Sequence, residues 1–320
     1  MMHLMYNGTG AIKVLGRTEL GVSRLGLGTA EIGFAYGLGS PDLPQEADAL
    51  ALLADAVAAG VTFFDTANYY GLAEERIGRS GIMRSPEVVV CTKCAQFLEK
   101  GEYFTPAELE AKIREQVEGS LRTLGLSVLP LLLLHGPSAE QLQEGMLTDI
   151  VKKLQSDGKV LYWGASTRGE EPALAAIAAG ADAIEVAYNI ADQRMARRVF
   201  PAAAKKGVGV ISRSLYLKGA FAGKAGYLPD SLKPLKAVVA SAQSVADGLG
   251  IPLPELALRF ALSESAIDVS LIGTAKREHL LSAVQALAQG PLPQEAVAAL
   301  RALAVDDPAQ VDPAQWPKNI

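Results

Sequence analysis

Three ionisable residues each close a short apolar run: Asp65 after Val-Thr-Phe-Phe, Lys93 in Val-Val-Val-Cys-Thr-Lys, and His135 after four leucines. A buried carboxylate and a buried ammonium are tolerable only as a pair, so Asp65 and Lys93 are expected in contact. Tyr69 and Tyr70 lie in the segment that follows Asp65. A cation beside a phenol favours the phenolate, which would lower the tyrosine's pKa and make it a better proton donor near neutral pH. With His135 placed to donate to a carbonyl oxygen, this is acid–base chemistry on a C=O or C–OH. None of these side chains supplies electrons, so a redox version needs a cofactor.

The elements that position them are legible as an alternation. Short apolar runs fall at 24–29, 61–65, 88–93, 129–135, 161–166, 183–188, 209–213 and 269–273, without the polar alternation of a half-exposed strand. That is the pattern of strands covered on both faces. Helical patterns occupy 43–59, 139–156, 170–179, 193–206, 254–263 and 277–289. Another opens on the capping box Thr105-Pro106-Ala107-Glu108 and runs to Gly125. Eight strands alternating with helices predict a (β/α)8 TIM barrel, with a doubly wound sheet as runner-up. Gly26-Leu27-Gly28 approaches a dinucleotide fingerprint, but Glu31 stands at the third glycine and no helix opens there, so it reads as a tight strand end. In a barrel, chemistry gathers at the C-terminal strand ends, where Asp65, Lys93, His135 and Ser166-Thr167 all fall.

FFDTANYYG, VVVCTK, LLLLHGPS and GKVLYWGAST occur in this order, flanked by RTELGVSRLGLGTA and SLIGTAKREHL. As a set these blocks resemble the signatures of the aldo-keto reductase superfamily across nearly the whole chain. The resemblance implies one (β/α)8 domain over 1–320, with an N-terminal hairpin and a C-terminal loop or helix over the barrel. It also implies NAD(P)H held in an extended pose. Tyr70 falls five residues after Asp65, matching D-x-x-x-x-Y-G, so the implied tetrad is Asp65, Tyr70, Lys93 and His135. Tyr70 would be the proton donor, tuned by Lys93, which Asp65 holds. Ser166, Thr167 and Glu185 resemble the contacts to the nicotinamide carboxamide, and Arg213 the residue stacked on its ring. Ser214, Tyr216, Lys218, Gly219 and Lys224 fall in the loop over the pyrophosphate. Gly273, Thr274, Lys276, Arg277 and His279 form the adenosine segment, which implies NADP(H) in preference to NAD(H). Phe34, Tyr36, Tyr69 and Phe97 are the candidate substrate walls.

Four positions depart from the family pattern. Pro130 stands where an aspartate is frequent, Glu185 replaces the usual glutamine, and Ala283 replaces an asparagine that contacts adenine. His279 takes the place of an arginine that pairs with a 2′-phosphate, leaving that role to Lys276 and Arg277.

Composition removes several other classes. Apolar residues make up 49%, enough for a sizeable core rather than disorder. With 30 basic against 35 acidic residues and no basic block, nothing tracks a phosphate backbone, so nucleic-acid binding is not expected. The N-terminus lacks a signal-peptide pattern and the longest strongly apolar run is too short to span a bilayer, so a cytoplasmic protein is expected, with no membrane partner. Cys91 and Cys94 form a Cys-x-x-Cys, but on a strand the two point to different faces, which disfavours a thioredoxin-like pair. Trp163 is expected against the helix layer, and Trp316, near the polar C-terminal tail, either over the barrel mouth or loose. With three histidines in unrelated segments, no metal site is expected. The function expected is reduction of aldehydes or ketones to alcohols, or oxidation of a sugar or alcohol. The alternatives are a redox-sensing NADP(H)-binding regulatory subunit and a Schiff-base aldolase using Lys93. Oligomeric state is left open.

Overall fold

The computed structural model describes residues 12–39, 42–102 and 104–317; His3 and most of the N-terminal stretch considered above lie outside them. Two short strands, β1 (Lys13–Val14) and β2 (Gly21–Val22), pair antiparallel as a hairpin. Eight parallel strands then close a barrel: β3 (Leu25–Gly28), β4 (Phe63–Asp65), β5 (Val89–Cys94), β6 (Leu129–His135), β7 (Val160–Ser166), β8 (Ala183–Ala187), β9 (Gly209–Arg213) and β10 (Val269–Gly273), with β10 returning to β3. This is the predicted (β/α)8 barrel; the doubly wound alternative is excluded by closure.

The two-residue period of the strands makes the barrel interior and the site a single series. Phe63, Cys91, Leu131, Leu133, Ala183 and Ile211 form the apolar interior with Val89, Val269 and Leu271. Two residues further along the same faces come Asp65, Lys93, His135, Glu185 and Arg213. Register aligns them: Lys93 lies beside Leu133, His135 beside Ser166, and Ser166 beside Glu185. The intervening residues, among them Phe64, Val90, Leu132, Trp163, Ala165 and Ile184, face outward and bury against the helices. Leu15 and Val22, fully buried from the hairpin, join the interior cluster and plug the barrel's N-terminal end. Burying each contributes about 1.5–3 kcal/mol.

Several helices differ from the sequence-based expectation. The span 139–156 is two helices, Ala139–Gln143 and Met146–Ser156, because Gly145 between them takes a left-handed φ of 84°. The helix expected from residue 43 begins at Glu46, after Pro44. Helices Ala73–Ser80 and Lys233–Leu249 were not expected, while Gln294–Arg301 and Pro308–Val311 fall in the C-terminal part, where a loop or helix was implied without bounds. The first of these contains Gly78, a weak helix former. Its missing Cβ lets the helix approach Thr123, whose carbonyl oxygen would lie 2.2 Å from a side-chain carbon there. The capping box at Thr105 and Glu108 forms as expected and opens helix Pro106–Leu124.

Candidate active site

Lys93 is fully buried at the barrel mouth and paired with Asp65, the contact expected from burial. Its Nζ also donates to the Thr66 carbonyl oxygen at 3.1 Å and reaches the Tyr70 hydroxyl at 3.5 Å. It lies 5.0 Å from the centroid of the Tyr70 ring. Tyr70 is carried not by a strand but by the turn after β4, where its N–H donates to the Ala67 carbonyl oxygen at 2.9 Å. Two glycines make that turn possible. Gly71 has φ +53°, and a Cβ at Gly33 would stand 1.8 Å from the Tyr70 carbonyl oxygen. His135 meets Tyr70 edge to face, with ring centroids 5.9 Å apart. The set drawn from three strands and one loop therefore converges on one point.

The electrostatics correct one expectation. Lys93 opposes the rise, but burial outweighs it, so the Tyr70 phenol is pushed well above its ordinary value rather than below it. The lysine itself is pushed well above the usual lysine range: Asp65 and Glu185 overcome its desolvation. Burial, helped by the Lys93 charge, lowers His135 to about 3, so its imidazole is neutral at physiological pH and retains one N–H to donate. His135 Nδ1 is buried without a hydrogen-bond partner. Together these groups can present a protonated phenol and a neutral imidazole to one oxygen atom.

A family model described as "Aldo/keto reductase family" matches residues 24–305. The chain belongs to that family. It is accordingly an NAD(P)-dependent oxidoreductase. Among similar proteins, D-threo-aldose 1-dehydrogenase of Pseudomonas sp is 27% identical over 82% of this chain and 88% of its own. L-galactose dehydrogenase of Arabidopsis thaliana is 27% identical over 97% of this chain and 98% of its own. A solved aldo-keto reductase from Bacillus halodurans, in its holo form, superposes with a TM-score of 0.75 at 24% identity, covering 93% of this chain and 97% of that one. That likeness shows the fold.

The aldo/keto reductase cofactor can be tested against the residues present. Ser166 Oγ donates to Glu185 Oε1 at 2.7 Å, which leaves the serine's lone pairs free for an amide N–H. Thr167 Oγ1 and Glu185 Oε2 are both buried with no hydrogen-bond partner. Such orphaned atoms fit a ligand carboxamide, which offers two N–H donors and one carbonyl acceptor. Glu185 does more than was expected of it. Its Oε2 is 3.4 Å from Lys93 Nζ and its Oε1 is 3.6 Å from Arg213 Nε. Arg213 donates to the Thr167 carbonyl oxygen at 2.8 Å and to Ser214 Oγ at 3.3 Å, which fixes its guanidinium beside the carboxamide-type atoms.

The loop after β9 carries Ser214, Leu217 and Lys218 in left-handed conformations that non-glycine residues rarely adopt. It is clasped to the loop after β3: Leu38 N–H donates to the Lys218 carbonyl oxygen, and Lys224 Nζ donates to the Leu38 carbonyl oxygen. Gly219, at φ +102°, gives the Lys224 stem its path, while the partly buried Tyr216 packs against the outer core. In the segment expected toward the adenosine, Gly273 ends β10, and Thr274 Oγ1 accepts from Lys276 N–H and lies 3.3 Å from His279 Nδ1. Lys276 and His279 are exposed there, whereas Arg277 is paired with Asp55 at 2.6 Å. Ala283 is buried, facing away from solvent.

Above the tetrad, Tyr36, Phe34 and Tyr70 form a row with centroid spacings of 5.6 and 6.0 Å. Tyr69 is exposed, and Phe97 is engaged with Phe104 and Lys112 rather than with that row. Arg168, which sequence reasoning missed, pairs with Glu99 and with Asp312, joining the loop after β5 to the C-terminal segment. Its signal was slight: one arginine after Ser166-Thr167. Trp163 packs in the helix-side core and Trp316 is buried near the C-terminus, donating to the Gln310 carbonyl oxygen. Cys91 lies in the barrel interior and Cys94 in the helix-side core, both as free thiols. Among the described residues there is no metal-ligating cluster and no helix long and apolar enough to cross a membrane.

Proposed function

We propose that this family member interconverts a small carbonyl compound and its alcohol, with Tyr70 as proton donor and NADP(H) as the preferred hydride carrier. The cofactor, when bound, supplies or accepts the hydride; Ser166, Thr167, Glu185 and Arg213 would hold its nicotinamide end. Residues 214–224 would cover its phosphates, and Thr274, Lys276 and His279 would lie toward its adenosine. Tyr70 donates its hydroxyl proton to the substrate oxygen while the neutral His135 N–H orients that oxygen. Lys93, kept charged by its carboxylates, stabilises the phenolate left behind. The observation that carries this reading is the Tyr70 hydroxyl standing 3.5 Å from a fully buried, carboxylate-paired ammonium. Tyr36 and Phe34 supply an apolar wall for the rest of the substrate. The names of the two similar dehydrogenases favour an aldose oxidised at its anomeric carbon as one direction of this reaction. The chain would work as one barrel domain, and its two free thiols suit a reducing, cytoplasmic setting.

Two other readings fare worse. A Schiff-base aldolase needs Lys93 deprotonated near neutral pH, but two carboxylates hold it well above the usual lysine range. A purely regulatory NADP(H) sensor has no use for the converged proton donor.

The test is turnover of NADPH with an aromatic aldehyde, and of NADP with an aldose, beside Tyr70→Phe. The variant should bind nucleotide as the wild type does and lose about 10²–10⁴-fold in kcat. Equal turnover by the two proteins would remove Tyr70 from its role. Cofactor choice has a separate check. Asp55→Asn releases Arg277, and fluorescence titration should show NADPH affinity rising a few-fold while NADH affinity stays constant. Parallel changes for both nucleotides would place Arg277 away from the 2′-phosphate.

A further inference from the structure

The lysine that tunes the proton donor is held by one carboxylate more than the proton transfer needs. Asp65 sits on β4 and Glu185 on β8, four strands apart in a closed ring of eight and therefore on opposite sides of the barrel. Both reach the same atom: Lys93 Nζ is paired with Asp65 and stands 3.4 Å from Glu185 Oε2. Glu185 is 1% exposed and that oxygen has no hydrogen-bond partner, so its ion pair with Lys93 is its principal compensation for burial. A neutral amide in its place would serve a ligand carboxamide equally well but would offer the ammonium no counter-charge.

We propose that Glu185 is a positioning residue that acts as a second, redundant counter-ion of Lys93, so that either carboxylate alone keeps the ammonium charged beside Tyr70. The proposal rests on the proton transfer through Tyr70 described above. Two neighbouring buried carboxylates do not ionise with equal ease. Burial and the Glu185 charge push Asp65 up, while Lys93, Arg213 and Ser166 hold Glu185 down. Glu185 is thus the firmer of the two anions, and the hydrogen bond between the two carboxyl groups adds to the upward push on Asp65 and the downward push on Glu185. The titratable and charged groups around Lys93 are Asp65 from β4, Tyr70 from the turn after it, Cys91 from its own strand, His135 from β6, Glu185 from β8 and Arg213 from β9. Only Asp65 and Glu185 among them carry carboxyl groups, so only they can supply the ammonium with a counter-charge.

The experiment compares Asp65→Asn, Glu185→Gln and the double variant, reading kcat against pH and, without cofactor, melting temperature against pH. Each single variant should lose part of its kcat but hold what remains to alkaline pH, because one carboxylate is left beside the ammonium. The double variant should lose at least about a hundredfold more than the product of the two single losses at pH 8. Its lysine, buried without an anion, must shed its proton. Activity should therefore recover as pH falls, whereas the stability penalty should grow as pH falls from 10, because the unfolded chain takes up the proton first. A merely structural defect moves both readouts together. Independent losses from the two variants, with Glu185→Gln altering only nucleotide affinity, would overturn the proposal. Should the double variant fail to fold, adding Lys93→Met should restore it; failure of that restoration would overturn the proposal as well. The melting curves need no turnover, so they decide the counter-ion role even if Tyr70→Phe proves as active as wild type.

Discussion

At the residue scale, burial governs the site more than any single contact. His135 shows the consequence for pH. Its folded-state value, about 3, lies below the ordinary 6.5, so below pH 6.5 the unfolded chain binds a proton that the folded protein refuses. The stability His135 permits is complete above that value and is lost as pH falls toward 3. Over this window the cost reaches several kcal/mol. Calorimetry from pH 7 to pH 4 should show a steeper fall in melting temperature for the wild type than for His135→Gln, which has no proton to refuse. Parallel curves would mean that the imidazole accepts its proton without hindrance. The sequence alone gave the opposite expectation for Tyr70, whose neighbouring cation was expected to lower its phenol. What a linear sequence hides is the depth of burial, which here outweighs a charge only 3.5 Å away.

At the element scale, the strands deliver Asp65, Lys93, His135 and Glu185, but Tyr70, the proposed proton donor, hangs from a turn. That turn is fixed by a backbone contact between Gly33 and Tyr70 that leaves no room for a methyl group. Gly33→Ala must push the Tyr70 carbonyl away, so both folding stability and the Tyr70–Lys93 approach should suffer. We expect a loss of about 1–3 kcal/mol in chemical denaturation together with a kcat reduced at least tenfold, since misplacement by a fraction of an ångström matters in proton transfer. An unchanged kcat in a destabilised protein would show that the turn is not what places the phenol. Gly33 was not singled out from the sequence, because nothing local marks a glycine whose partner lies 37 residues away, whereas Gly71 closes the D-x-x-x-x-Y-G motif. The eight strands, by contrast, were legible to within a residue or two. Unbroken apolar runs survive as strands whatever their neighbours, whereas helix Ala73–Ser80 was hidden by Gly78, a poor helix former kept for its packing against Thr123.

At the scale of the whole molecule, the mouth is closed by segments distant in sequence. Arg168, just beyond β7, holds Glu99 at 3.2 Å and Asp312 at 3.1 Å, so the loop after β5 and the C-terminal segment are tied through one guanidinium. Both pairs are partly exposed, and each contributes no more than about 1 kcal/mol. Their importance lies instead in which loop conformations they select. With Val311 and Trp316 buried beside it, the C-terminal segment keeps its apolar anchors when the ion pair is cut. Asp312→Ala should therefore move the melting temperature by only about 2 °C, as a 1 kcal/mol change does in a protein of this size. The substrate entrance should respond more than the chemistry, because the tetrad lies on the barrel strands and the turn after β4, away from the cut contact. KM should rise several-fold for bulky carbonyl substrates and little for small ones, with kcat nearly constant. Steady-state kinetics over a size series of aldehydes provides the check. A uniform fall in kcat, with KM unmoved, would mean that the ion pair supports the tetrad itself and not the walls above it.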